Sequence, residues 1–191
     1  VVIIAGCGIS NCGQQDSQHD GIHRFYVGKN SKIKYVEKHY GEGDGLGKRI
    51  MNPVTEVYME ENSRVEMEMV QIRGVDSTER ITKAQLKAGA NLTVRERLLT
   101  HGTQNADSSV QTFESKIAGN TKCSGHSECD AIIMDQAKIV AVPGLTANDV
   151  DAALIHEAAI GKIAGEQIVK LMTLGLTEEE AEEQIINGFL K

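Results

Sequence analysis

One short pattern recurs along the chain and limits what it can fold into. Lys29-Asn30-Ser31-Lys32-Ile33-Lys34-Tyr35 begins with a turn, passes through a small residue and continues as an alternation of polar and apolar side chains. Glu61-Asn62-Ser63-Arg64-Val65-Glu66-Met67 repeats it, as do Ala88 to Val94 and Asp135 to Ala141. Alternation at every second position is the pattern of a half-buried strand. The small residues fall at 31, 63, 90 and 137, so the gaps are 32, 27 and 47 residues. A strand-turn unit recurring at this spacing predicts a β-solenoid, in which each coil stacks on the last. A β-sandwich with similar turns is the alternative, and the fourfold recurrence of the same turn favours the solenoid. The third gap fits neither one coil nor two, and points to a missing segment around Phe113-Glu114.

The core must be aliphatic. Hydrophobic residues make up 40% of the 191, but there are only three Phe and four Tyr, and no Trp. A net charge of −7 argues against nucleic acid or an anionic membrane as partner, since both call for a basic face. No apolar run approaches the roughly 18 residues that span a bilayer. Val1-Val2-Ile3-Ile4-Ala5 has no basic region of the export-signal type, and the missing initiator Met suggests a fragment or a trimmed chain. A cytoplasmic setting is expected, in which four cysteines read as ligands or reactive thiols rather than a disulfide framework.

The pattern changes after Pro143. Thr146 to Gly175 is rich in Ala and Ile, and Gly175 suits the position just past a helix. Thr177-Glu178-Glu179-Glu180 reads as a capping box, followed by a helix that sets Ala181, Ile185 and Phe189 near one face. Two short helices in this arrangement either cap a solenoid or offer an apolar face to another protein. The expected division is a β-helix core over 1–160 and a helical segment over 161–191.

Several constellations bear on chemistry. Cys123-x2-His126-x2-Cys129 combines soft and borderline ligands suited to iron or zinc. On a strand, Cys123 and Cys129 share a face, and His126 points away unless the chain turns at Gly125. A structural Cys beside a surface one fits the spacing equally well. Cys7-x4-Cys12-x6-His19-x3-His23 is compatible with zinc, although Cys12 and His23 read better as loop residues. His156-Glu157 could ligate iron or move protons, or be an exposed polar pair. It lacks the second His of the H-E-x-x-H zinc signature, because Ile160 stands there. His39 and His101, beside glycine-rich turns, read as solvated loop residues. Gly41 to Lys48 is glycine-rich, but Arg49 follows the Lys, so it is not a phosphate-binding loop.

Taken together, certain blocks closely resemble the SufB/SufD family, the scaffold subunits of the SUF iron–sulfur cluster assembly system. They are Glu128 to Met134, Val142-Pro143, Ile155 to Ile163, Gly175 to Ala181 and Ile186 to Phe189, with Gly6-Cys7, His19 and Asn30 to Tyr35 upstream. The resemblance implies a mainly β fold, a right-handed parallel β-helix with a short C-terminal helical segment. It places Ala152 to Ala158 on the last strand rather than in a helix. It implies that Cys129 and Glu157, with His156 beside them, hold a transient iron–sulfur cluster or iron. The Cys129 and Glu157 combination is nearer SufB than SufD. It also implies that Cys7 takes part in sulfur transfer from a donor. A SufC-type ABC ATPase would dock on the helical segment through Ile168, Leu171, Met172, Ala181, Ile185 and Phe189. The assembly would be a homodimer or a SufB/SufD-type heterodimer, with no catalysis of its own. Two other functions compete: a zinc-binding solenoid using Cys123, His126 and Cys129, and a polysaccharide-active β-helix enzyme. The lack of Trp platforms argues against the enzyme.

Overall fold

Strands rich in Val, Ile, Met and Thr alternate with short turns, and each coil sets one strand in one sheet against one or two in the other. The computed structural model describes residues 1–72, 74–100 and 110–190. The first coil holds β1 (Val2–Ser10), then β2 (Ser17–His19) and β3 (Ile22–Val27). The second holds β4 (Lys32–Glu42), β5 (Arg49–Met51) and β6 (Val54–Met59). The third pairs β7 (Arg64–Gln71) with β8 (Ser77–Leu86). The fourth pairs β9 (Asn91–Thr100) with β10 (Val110–Gly119), and the fifth β11 (Ser124–Ile133) with β12 (Lys138–Ala147). A last half-coil, β13 (Ala153–Gly161), precedes α1 (Gly165–Met172) and α2 (Glu178–Phe189).

Every strand pairing among the described residues is parallel. One sheet runs β1-β4-β7-β9-β11-β13. The other runs β12-β10-β8-β5-β2, with β3 and β6 continuing beside β8. The fold is therefore a parallel β-solenoid of about five turns. Ala153 to Gly161 form the last strand, as the resemblance implied, where local composition alone pointed to helix.

The recurring turn explains the register. Gly28–Ser31, Glu60–Ser63, Lys87–Ala90 and Asn120–Cys123 each close with a hydrogen bond from the last amide to the first carbonyl. Their third residues, Asn30, Asn62, Gly89 and Lys122, all take positive φ. Asn and Gly tolerate that conformation, and Lys122 is held in it. The fourth member of the series is thus Cys123, not Ala137. Ala137 follows a similar turn, Met134–Ala137, but at the opposite edge, between β11 and β12. The 47-residue gap compared two different corners. Within the chain β8, β10 and β12 are neighbours, as are β9, β11 and β13.

Three apolar columns fill the space between the sheets near these turns. Ile33, Val65 and Leu92 align in one sheet with Tyr35, Met67 and Val94 beside them. Val27, Met59 and Leu86 align in the other. They form the main hydrophobic cluster, in which Met and Val take the volume that aromatics would otherwise fill. Each such side chain contributes about 1.5–3 kcal/mol on burial.

The glycine-rich segment is a corner, not a ligand loop. Gly43 has φ +104 and lies against the Asn11 backbone. The Asn11 amide nitrogen donates to the Gln15 and Lys48 carbonyls, and its oxygen accepts from the Gly13 amide. Helix α2 starts on the expected capping box: Thr177 Oγ1 accepts from the Glu180 amide while Glu180 Oε2 accepts from the Thr177 amide. Ala181 is fully buried against the rest of the chain. Ile186 and Leu190 face a cleft walled on its other side by Ile72, Leu99 and Met134.

Candidate functional site

Parallel pairing in register sorts the side chains into columns that run the length of the sheet. On the inner face, Ala5, Glu37, Met69, Glu96, Cys129 and Ala158 form one column. Ile3, Tyr35, Met67, Val94, Ser127 and His156 form the next. On the outer face, Arg95, Glu128 and Glu157 stand in line. The opposite sheet turns a polar column inward, with His23, Thr55, Thr82 and Ser115 at matched positions. A polar seam therefore runs inside the solenoid beside the apolar core.

Cys129 lies at the far end of that seam. It is 2% exposed, packed with Leu98 and Ala131, with Ile139 and Ala141 against them. Burial, then the carboxyls of Glu96 and Asp130, push its thiol up to about 12. It is therefore a protonated thiol at neutral pH, and any metal it binds must displace that proton. His156 points to the same face on the end strand, two positions along, and its Nδ1 is buried with no hydrogen-bond partner among the described residues.

Glu157 does not join them. It is opposite Glu128 on the outer face, its side chain 65% exposed, with His126 Nε2 3.7 Å from Oε2. The pleat alone separates it from Cys129. The same rule dissolves the Cys123-x2-His126-x2-Cys129 unit, because Cys123 and Cys129 are buried inside while His126 faces out. Cys12 is exposed, as expected of a loop residue. Among the residues expected to dock a partner, Ile168, Leu171, Ile185 and Phe189 are half-buried and Met172 is exposed. Ala181, with no exposed surface, is a packing residue and not a docking one.

A second cluster lies at the other end of the seam. Arg80, on β8, is 1% exposed in the middle of the solenoid. Its Nη1 donates to Glu37 Oε2 at 3.2 Å and contacts Met69 Sδ, and its Nη2 meets His39 Nδ1. Glu37 Oε1 is 3.1 Å from both His39 Nε2 and His23 Nδ1. The Tyr35 hydroxyl lies 2.9 Å from His23 Nδ1. Burial would raise the Glu37 carboxyl, but the His39 contact, the Arg80 charge and His23 outweigh it and hold it at about 2. Burial keeps His39 neutral against the opposing pull of Glu37. In the next coil but one, burial raises Glu96 despite Arg80 and a 3.2 Å hydrogen bond from Thr82. The interior thus pairs the Glu37 carboxylate with the Arg80 guanidinium, and near the same end Asp76 is paired with the buried Arg49. Cys7 lies beside this network, its thiol pushed up by burial and then by Glu37.

The reading of His39 as a solvated loop residue is corrected: it is 1% exposed, on the inner face of β4. The glycine run after it had suggested a loop, but the strand continues through Gly41 and Glu42. His101 lies outside the described residues. Nothing in local sequence marks Glu37, His39 and Arg80 as partners, since 43 positions separate the outermost two. The usable signal was Glu37 and Arg80 as charges at positions where alternation demands an inward side chain.

Two outcomes follow. Arg80→Ala leaves Glu37 buried without its cation, and should cost about 3–5 kcal/mol in urea unfolding. For Cys129, the folded thiol titrates near about 12 and the unfolded one near 9.0. Its contribution is intact below pH 9 and is lost as pH rises toward 12, because only the unfolded chain releases the proton there. The stability of the wild type relative to Cys129→Ala should fall by about 1.4 kcal/mol per pH unit in that window.

Comparisons with known proteins point to iron–sulfur cluster assembly proteins. Residues 105–189 match the SUF system FeS cluster assembly, SufBD core domain. An iron–sulfur cluster assembly SufBD family protein of Pyrococcus horikoshii is 30% identical over 92% of this chain and 61% of its own length. A SufBD family protein of Methanothermobacter thermautotrophicus is 28% identical over 98% of this chain and 51% of its own. The iron–sulfur cluster assembly protein SufB of Bacillus subtilis is 38% identical over 34% of this chain and 14% of its own. The chain spans between half and two thirds of the length of the archaeal relatives it matches end to end. Within this solenoid of parallel coils, residues 105–189, which include the buried Cys129, carry a SufBD core domain of the kind named for iron–sulfur cluster assembly.

Proposed function

We propose that the chain is a non-enzymatic scaffold on which a nascent iron–sulfur cluster is built where two protomers meet. The observation that carries this reading is the placement of Cys129 and His156 on one inner face at the end of the sheet. Among the described residues β13 has no strand on its outer side, so the last coil is open to a partner edge. Cys129 supplies a strong thiolate ligand once iron displaces its proton, and His156 supplies an imidazole with a free buried nitrogen. Glu157 faces outward and offers iron a carboxylate from the same strand, across the interface with the second protomer, SufB-like or SufD-like. Weak carboxylate and imidazole ligation beside one thiolate suits a cluster that must later be handed on.

Sulfur reaches the seam from a donor protein, with Cys7 as the receiving thiol. A SufC-type ATPase docks on the helical segment, where Val169, Met172 and Leu174 leave apolar surface uncovered. The four cysteines are free thiols, which suits a reducing cytoplasm. No helix among the described residues is long and apolar enough to cross a membrane.

The test is anaerobic reconstitution of the chain with ferrous iron and sulfide, followed by visible absorption and iron and sulfide analysis. Cys129→Ala should lose most of the bound cluster. Wild-type loading in that variant would overturn the reading.

A further inference from the structure

The first two coils bring together a thiol, an imidazole and a carboxylate: Cys7 and His23 belong to a zinc-compatible spacing, but His23 is a β3 strand residue rather than the loop residue expected, and Glu37 lies outside that spacing. Cys7 Sγ on β1, a ring nitrogen of His23 on β3 and a carboxylate oxygen of Glu37 on β4 all lie within 4.8 Å of one another. Strand pairing sets this geometry. β1 and β4 are adjacent in one sheet, and β3 faces them from the other. A second observation points to a missing ligand. The Glu37 side chain is fully buried, yet its Oε1, 3.1 Å from His39 Nε2 and His23 Nδ1, makes no aligned hydrogen bond with either. Burying a carboxylate oxygen without a donor is costly, and a buried charge is normally paired or bound to metal. The other oxygen, Oε2, is already held by Arg80 at 3.2 Å. Oε1, flanked by the two imidazoles without an aligned hydrogen bond, is the half of an anchored carboxylate that faces His23 and Cys7.

We infer that Cys7, His23 and Glu37 bind one divalent transition-metal ion of the zinc or ferrous class. Sulfur, nitrogen and one carboxylate oxygen form a mixed set that suits a borderline cation. Calcium and magnesium need more oxygens than the site provides. Glu37 is positioned by Arg80, so the carboxylate need not move when the ion enters. The Tyr35 hydroxyl, 2.9 Å from His23 Nδ1, is the contact the metal replaces. Cys7 and His23 are only half-buried, while Glu37 is enclosed. The ion therefore enters from the solvent side, and a fourth coordination position there stays open for water or an incoming ligand. Cys7 lies four strands from Cys129 in the same sheet, about 19 Å at about 4.8 Å per strand, so the two thiols cannot share an ion. A thiolate held by metal is also not free to carry sulfur, so occupancy of this site would regulate the role proposed for Cys7.

The inference rests on geometry in coils one and two and stands apart from cluster assembly at Cys129. Its test is an anaerobic titration of the full chain with cobalt(II), without sulfide or partner. The expected result is one cobalt per chain with a thiolate-to-cobalt charge-transfer band that zinc(II) abolishes by competition. Cys7→Ser should remove the band. His23→Gln should weaken binding by more than about tenfold, the loss that even an outer-shell partner causes. Cys129→Ala should leave both unchanged. Circular dichroism confirms the strand content of each variant, and both coil-one positions are exposed enough to be replaced without emptying the core. Absence of the band in the wild type, its survival in Cys7→Ser, or unchanged affinity in His23→Gln would each overturn the assignment. None of these outcomes touches the reconstitution result at Cys129.

Discussion

Parallel pairing in register is the constraint from which the rest follows. A residue's neighbours are its counterparts one coil before and one coil after, and its face is fixed by parity along the strand. The turns that close each coil set that register, with Asn30, Asn62, Gly89 and Lys122 all at positive φ in the same place. A shift of one residue would exchange every inner and outer side chain. Cys129 is inside and Glu157 outside for that reason alone, although their strands are hydrogen-bonded neighbours.

The interior is not uniformly apolar, and the polar seam between the sheets is organised around the Arg80–Glu37 pair. Arg80 and Glu37 are both nearly inaccessible, and they are joined by His39, which burial keeps neutral. Two charges taken out of water are tolerated only when paired and further hydrogen-bonded. The cost of this pair buys an ionised carboxylate at a chosen point in a dry interior, next to a thiol. At the other end the surroundings act in the opposite sense. Among the described residues no guanidinium acts on Cys129, the Glu96 and Asp130 carboxyls add to burial in raising its pKa, and the thiol keeps its proton until something positive arrives.

How much of this was legible in the sequence divides along the same physical line. Alternation and turn residues are local, so the solenoid, the capping box at Thr177 and the outward direction of His126 could be read directly. The 47-residue gap arose because Cys123 was weighed as a ligand, when its place in the chain is that of the small residue after the turn. The assignment of Ala153 to Gly161 needed the family resemblance, since an Ala-rich edge strand resembles a helix in composition. The cluster of Cys7, His23, Glu37, His39 and Arg80 could not be read, because its members meet only when coils stack and two sheets face each other. Spacing along the chain carries no record of that.

The division of the last coil into an inner Cys129–His156 face and an outer His126–Glu157 face is the central claim. Pulsed electron paramagnetic resonance of the reduced, reconstituted cluster tests it most directly. An imidazole nitrogen coupling should be present in the wild type, lost in His156→Gln and kept in His126→Gln. A coupling that disappears with His126 instead, or that is absent altogether, would contradict the account.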